Sequence, residues 1–435
     1  MADHIAGFVG IGVILLLIAF RFPVGLALGG VALGGLFWLL GVTPTLGLLG
    51  SVPYSFSARW ELSAIPMFLL MGTIAYYSGM TTSLYHAARM WLGFLPGGLA
   101  VASNFACAGF AAASGSSLAT TVAMGRISIP EMLESGYDKG LATGVVASAG
   151  NLGSLIPPSV LMILYAVFAE QSVSQLFIAG ILPGILTAVI YAAMIIARCK
   201  LNPALAPPID QQVTWDDRLR VLAAIWPLPV LILAVIGGIY GGVVTPTEAG
   251  AFGAVLAFLI ALLQGRMSWA ILKRSAAEAI DSTATIFFVA IGAVLLTRFM
   301  AISGMPDYLV GLLGDWAVSP YFLVVGSAAV FLVLGMFLDP IGLMLLTLPI
   351  FLPLYDALDL HPIWIGILVV KYVEIGLMTP PVGLNVYAVK SIVGDDVPLG
   401  AIFRGVGWFL GCEVIIVGLL IVFPQIILFL PGLMR

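Results

Sequence analysis

Charge is what this sequence of 435 residues has least of: 17 Lys plus Arg and 21 Asp plus Glu leave 91% of the chain uncharged, with a formal net charge of -4. A water-soluble domain carries roughly 25% charged residues. A chain that is 61% hydrophobic with a mean hydropathy of +1.15 therefore has too few charges to cover itself in water. A soluble enzyme, a disordered scaffold and a nucleic-acid binder with a basic patch are all excluded. Cysteine and histidine are equally scarce. Cys107, Cys199 and Cys412 lie far apart with no CxxC and are expected to be small buried hydrophobes, and His4, His86 and His361 are scattered. Spacing assembles no metal cluster and no serine triad, so the chain is not expected to be an enzyme.

What is present is long apolar sequence. Residues 22–58, 90–125, 171–197, 221–247 and 316–338 contain no Asp, Glu, Lys or Arg. Each run exceeds the roughly 20 residues a membrane-spanning helix needs, and none alternates as barrel strands do. The sequence thus predicts an all-α polytopic membrane protein, with spans near 5–20, 22–40, 62–79, 137–150, 176–197, 221–240, 249–264, 282–300 and 405–430. The first run ends at Arg21 and resumes at Pro23 without a small-residue cleavage site, which reads as a retained helix rather than a signal peptide. The segment Arg198–Arg220, with Arg266, Lys273 and Arg274, holds seven of the 17 basic residues, so the positive-inside rule assigns both to the cytoplasm. In that segment Pro203, Pro207 and Pro208 and the charges of Asp210 and Asp216 mark a solvated loop, and Thr214 with Asp217 predicts a capped surface helix. Trp38, Trp60, Trp91, Trp226, Trp269 and Trp316 fall at run ends, as interfacial tryptophans do.

Two pairs of breaks interrupt the apolar runs at matched spacing. Ser114-Gly115-Ser116-Ser117 is followed by Asn151-Leu152-Gly153-Ser154-Leu155-Ile156-Pro157-Pro158-Ser159, and Gly335 to Pro340 is followed by Gly376 to Asn385. Ser116 to Pro157 and Asp339 to Pro380 are both 41 residues, and each Pro-Pro leads into a Tyr-Ala-Val, at 165–167 and 387–389. These matches predict a duplication offset by 223 residues, the difference between 380 and 157. Broken helices in corresponding positions of two halves point to a transporter binding site. The prolines remove donors, and carbonyls left unpaired in hydrocarbon must face protein, water or a cation such as Na⁺.

Individual polar residues carry further expectations. Asp339, at the second break with no basic neighbour, is a candidate cation ligand or proton carrier, and its repeat counterpart is the uncharged Ser116. Thr245-Pro246-Thr247-Glu248 reads as a capping box, and Ser128-Ile129-Pro130-Glu131 predicts another helix start. Lys371 and Glu374, three residues apart, form a potential neutralising pair, while Arg298 either pairs with Asp281 or snorkels to the interface.

With these motifs in order the chain resembles the large membrane subunit of tripartite ATP-independent periplasmic (TRAP) transporters. The resemblance runs through Pro66–Gly72, Leu95–Ala100, Ser114–Ser117, Ile156–Ser159, Gly242–Ala249, Gly335–Pro340 and Met378–Asn385. It implies an inverted-repeat, elevator-type fold of the ion-transporter class with two helical hairpins and two broken helices. The expected division is scaffold helices at 1–90, a first transport repeat at 91–170, scaffold helices at 171–315 with the cytoplasmic loop 198–220, a second transport repeat at 316–395 and a C-terminal helix at 396–435. It further implies Na⁺-coupled symport of an organic acid, such as a C4-dicarboxylate or a sialic or other sugar acid, across the bacterial or archaeal inner membrane. The partners implied are a separate four-helix membrane subunit and a periplasmic substrate-binding protein, besides the lipid bilayer; no nucleic acid is implied. Carried onto this sequence, one Na⁺ site would involve Ser114, Gly115, Ser116, Asn151, Gly153, Ile156 and Pro158, and a second Gly335, Asp339, Gly376, Met378, Thr379 and Pro380. Substrate would meet Ser116, Ser117, Ser159 and Asn385. A stand-alone Na⁺- or H⁺-coupled carboxylate transporter without a binding protein is the rival reading.

Overall fold

The computed structural model describes residues 3–207, 214–315 and 319–434, and within them every regular element is helical. The first half runs α1 (Asp3–Ala19), α2 (Val24–Leu40), α3 (Val42–Ser57), α4 (Ala64–Tyr77) and α5 (Met80–Leu92). A hairpin follows, α6 (Gly98–Ser114) and α7 (Ser117–Glu134), and then a broken passage of α8 (Lys139–Ala149), the single turn α9 (Leu152–Leu155) and α10 (Val160–Phe168), closed by α11 (Val173–Leu201). The second half runs α12 (Trp215–Ala224), α13 (Pro227–Tyr240), α14 (Pro246–Leu263), the long α15 (Trp269–Ser303) and α16 (Met305–Asp315). Its hairpin is α17 (Pro320–Gly335) and α18 (Pro340–Ala357), its broken passage α19 (Pro362–Gly376) and α20 (Leu384–Val393), and α21 (Leu399–Val422) and α22 (Gln425–Gly432) end the chain. Five helices are long and apolar enough to cross a membrane, or up to eight when three bent pairs count as one span each.

The duplication extends well beyond the breaks. Adding 223 to the limits of α7 gives 340–357, the limits of α18. The same shift carries α2 onto 247–263 against α14 at 246–263, α1 onto 226–242 against α13 at 227–240, and α11 onto 396–424 against α21 at 399–422. It places α4 on 287–300, the second half of α15. Contacts between helices obey the same relation: α2 packs on α15 as α14 packs on α4, α7 on α20 as α18 on α10, and α8 on α21 as α19 on α11. Such reciprocity, in which i meets j of the other half and j meets i, is the mark of a two-fold relation.

The two halves point in opposite directions. A Cβ on Gly25 would meet Val289, one on Gly29 would meet Gly292, and Gly10 of α1 lies against Phe299, so α2 runs parallel to α15. α14 ends at Leu263 and α15 leaves from the same side after a five-residue link, so α14 is antiparallel to α15. The counterparts α2 and α14 are therefore antiparallel, and the repeat is inverted. The basic ends of α11 and α12 and the Arg266–Arg274 stretch fall on one side because α13 and α14 form one out-and-back pair between them.

Several expectations are corrected. The run 22–58 holds two helices, because α3 continues through Pro53, and the span expected at 282–300 is part of a 35-residue helix. The span expected at 405–430 ends at Val422, where Pro424 cannot continue the α21 hydrogen bonding. Ser128–Glu131 starts no helix: it lies inside α7, and the Ser128 hydroxyl donates to the Met124 carbonyl at 2.8 Å. Arg298 and Asp281 are 17 residues apart on one helix, about 25 Å at 1.5 Å per residue, so they cannot pair, and exposed Arg298 snorkels. The capping boxes at Thr214/Asp217 and Thr245/Glu248 are both formed, and Cys107, Cys199 and Cys412 are buried and free. Pro208, Asp210 and Trp316 lie outside the described residues.

Candidate functional site

Each hairpin turns at a polar N-cap. Ser116 caps α7, its hydroxyl accepting from the Ala119 N–H at 3.4 Å, and Asp339 caps α18, its carboxylate accepting from the Gly342 N–H at 2.8 Å. The two caps are 223 residues apart, so the duplication keeps the role and changes the group. Asp339 thus does what Glu248 does in its capping box, and its second carboxylate oxygen is left for a ligand.

The tips lie against the breaks, as the spacing predicts. Gly115, at φ 64°, accepts a hydrogen bond from the Val160 N–H at 3.3 Å through its carbonyl, and a Cβ there would stand 2.8 Å from the Pro158 oxygen. A Cβ on Gly153 would stand 2.7 Å from the Ser116 carbonyl carbon. In the second repeat a Cβ on Gly335 would stand 2.9 Å from the Gly376 Cα, and the Thr379 hydroxyl donates to the Ile375 carbonyl at 2.7 Å. Both Pro-Pro bonds are cis. Among the described residues no hydrogen bond reaches the carbonyls of Ser114, Ile156, Pro157 and Pro158 at the first break, or of Gly335, Met378, Thr379 and Pro380 at the second. Each break thus gathers unpaired oxygens beside a hairpin tip.

Between the tips is a cavity of about 410 Å³. Gly115, Ser116 and Ser117 line it from the first repeat, Asp339 and Asn385 from the second, and Asp281, Ser282 and Thr285 from α15. No Lys, Arg or His is among its lining residues. Ser159, expected to meet substrate, is not among them: it is 1% exposed and its hydroxyl caps α10, accepting from the Met162 N–H at 3.3 Å. Asn151 stands away from the first tip's carbonyls, at the junction of the repeats. Its Nδ2 donates to the Glu374 carbonyl at 2.8 Å, and its Oδ1 accepts from Asn385 Nδ2 at 2.6 Å.

The expected Lys371–Glu374 pair does not form. Lys371 Nζ donates to Glu413 Oε1 at 2.8 Å and to the Thr187 hydroxyl at 3.1 Å, and the Tyr191 hydroxyl donates to the same Glu413 oxygen. Residues three apart share a helix face, but the partner on α21 approaches more closely end-on, which no local spacing reveals. The α15 residues Asp281, Ser282 and Thr285 were also missed as cavity lining. Their signal was a run of hydroxyls after an acid inside an apolar helix.

Comparison with known proteins follows from this geometry. Residues 11–426 match the family model described as the tripartite ATP-independent periplasmic transporter, DctM component. The chain belongs to that family. This DctM-family chain is 37% identical over 380 residues to the C4-dicarboxylate TRAP transporter large permease protein of Pseudomonas aeruginosa, covering 86% of each chain. It is 32% identical over 425 residues to the ectoine TRAP transporter large permease protein of Halomonas elongata, covering 96% of this chain and 97% of the relative. Among solved structures, the YdaH transporter of Alcanivorax borkumensis shares the fold with a TM-score of 0.59 at 15% identity, over 88% of this chain and 89% of that one. The DctM-family chain is thus a multi-pass membrane permease of the TRAP class.

Proposed function

We propose that this permease carries out Na⁺-coupled symport of an organic acid across the bacterial inner membrane, receiving it from a periplasmic binding protein and working beside a separate small membrane subunit. The observation that carries the reading is the pairing of each hairpin tip with a set of unpaired break carbonyls on either side of one cavity. Carbonyl oxygens in a low-dielectric setting suit a monovalent cation, and among the described residues no cluster of three acidic, His or Cys side chains offers a divalent-metal site. Cations bound at both breaks would bring positive charge to a cavity that has no basic side chain, where a carboxylate could then settle with the Ser116, Ser117 and Asn385 side chains. Closing a tip over its break would require the cations and the substrate together, which is the linkage that symport needs.

An elevator motion fits the wall composition. The tips and broken helices, within 91–170 and 316–395, form one side of the cavity, and α15, of the scaffold, forms the other through Asp281 to Ile286. A second cavity of about 490 Å³ meets α15 at Thr297, between the ends of α10, α18 and α19. Eleven residues separate Ile286 and Thr297, about 16 Å along the helix, so the hairpin body faces α15 at two heights.

The relatives named for C4-dicarboxylate and ectoine are of similar identity to this chain, which leaves the choice of acid with the binding protein. The test is uptake in proteoliposomes driven by a sodium gradient, with and without the small subunit and the cognate binding protein. Uptake that needs all components and sodium supports the reading. Equal uptake by the chain alone supports a stand-alone carrier, and uptake driven by a pH gradient without sodium supports proton coupling.

A further inference from the structure

The cavity floor covers a charge that nothing neutralises. Among the described residues three charged side chains are buried, Lys371, Glu374 and Glu413, at 2%, 1% and 1% exposure, and their sum is one negative charge. Lys371 is committed to Glu413. Neither carboxylate oxygen of Glu374 has any hydrogen-bond partner. An ionised carboxylate enclosed in this way is costly unless a cation meets it.

The surroundings of Glu374 are built of oxygen. The groups acting on its carboxylate are first the hydroxyls of Ser154 and Ser117, then the charges of Lys371 and Glu413. Ser117 and Ser154 also line the cavity between the tips, which gives an ion a way in. Its backbone is fixed: Asn151, its counterpart in the first repeat, donates to the Glu374 carbonyl, so the group stands on the two-fold relation between the halves. The absence of hydrogen bonds between the serines and the carboxylate matters for the choice of ion. A proton is shared along one hydrogen bond. A metal cation of calcium's size holds its oxygens about 2.3–2.6 Å from itself, which sets those oxygens farther apart than a hydrogen bond would.

We propose that the Glu374 carboxylate, with the Ser117 and Ser154 hydroxyls, is a third sodium position beneath the cavity floor, midway between the two break sites. Bound there, the ion neutralises the single uncompensated buried charge and ties α19 to the first hairpin through Ser117. It rests on the sodium-coupling reading above and adds a site whose essential ligand is a side chain, whereas the break sites are mainly backbone.

Equilibrium binding of radioactive sodium to the purified full chain tests it, using sodium alone and no organic substrate. Glu374→Gln, which keeps the shape and removes the charge, is expected to bind one sodium ion fewer than the native chain. Ser154→Ala, which leaves the carboxylate in place, is expected to weaken one class of site several-fold and serves if the Gln variant does not fold. An unchanged number of ions in Glu374→Gln, or unchanged affinities in Ser154→Ala when the Gln variant is unfolded, overturns the site, and it then belongs to a proton. A native chain that binds no sodium refutes the coupling reading itself, a distinct result.

Discussion

The side-chain amide of Asn151 donates a 2.8 Å hydrogen bond to the backbone carbonyl of Glu374, the residue 223 positions on that fills the same place in the second repeat. A residue bonded to its own counterpart lies where the two halves of an inverted repeat meet. Asn385 joins the pair through Asn151 Oδ1, so one amide holds both broken passages together. Replacing Asn151 by Leu leaves a buried carbonyl and the buried Asn385 amide without partners, at about 1–3 kcal/mol each. The expected outcome is a lower melting temperature in detergent. In a double-mutant cycle, Asn151→Leu and Asn385→Leu are expected to be non-additive, since the second change removes a group the first had already orphaned.

The Lys371–Glu413 pair, at 2% and 1% exposure, ties α19 to α21, with Thr187 and Tyr191 of α11 completing it. Lys371→Met alone strands a second buried carboxylate and is expected to cost about 3–5 kcal/mol. Lys371→Met combined with Glu413→Leu removes both charges and is expected to recover most of that loss. Thermal unfolding of the three variants decides it: a double variant no better than the single one would show that the pair is needed for more than charge balance.

The inverted duplication was legible in the sequence because its signals are local. A Pro-Pro removes donors wherever it stands, and the 41-residue interval survives because both repeats fold the same hairpin and break. The Thr245 and Thr214 boxes were legible for the same reason. Lys371 was not, because its partner lies 42 residues away on another helix, and a buried ion pair follows from packing that spacing does not encode. Ser159 was misread because a serine two residues past the kink satisfies the next helix's N–H before it can face the cavity. Ser128-Ile129-Pro130-Glu131 has the letters of a helix start, but Pro130 sits in an established helix whose remaining bonds hold it.

Thr379 and Asp339 belong to the proposed second sodium position, and the structure separates their effects on stability from those on the ion. Asp339→Ala removes the α18 cap as well as the charge, so it is expected to lose about 1 kcal/mol of stability along with sodium affinity. Asp339→Asn keeps a cap and removes the charge, and Thr379→Val removes only a hydroxyl bonded to Ile375. Both are expected to raise the sodium concentration for half-maximal uptake while the melting temperature stays near native. Unchanged sodium dependence in both would remove the second position.

Outside the membrane, Asp217 is held below the usual carboxylate range by the hydrogen bonds that the Thr214 hydroxyl and N–H donate to it. A folded-state value below the unfolded one means that the cap stabilises α12 above the unfolded value, about pH 4, and that this is lost as pH falls through the depressed one. Amide exchange in α12 is therefore expected to show no loss of protection from the cap between pH 8 and pH 5, after correction for the intrinsic exchange rate. Asp217→Ala is expected to loosen the first turn throughout that range.

Gly115 and Gly265 share nearly the same backbone, φ 64° and 65°, and differ only in what surrounds them. A Cβ on Gly265 meets nothing within 4 Å, whereas one on Gly115 would stand 2.8 Å from the Pro158 carbonyl oxygen. Alanine at either position incurs the left-handed penalty of about 1–2 kcal/mol. At Gly115 it must also push the first tip off the break, because the obstacle is backbone and cannot rotate aside. Gly265→Ala is therefore expected to melt slightly lower and transport at the native rate, while Gly115→Ala loses transport and sodium affinity out of proportion to its stability. Equal loss of transport in the two variants would mean that tip-to-break contact is not what binds the ion.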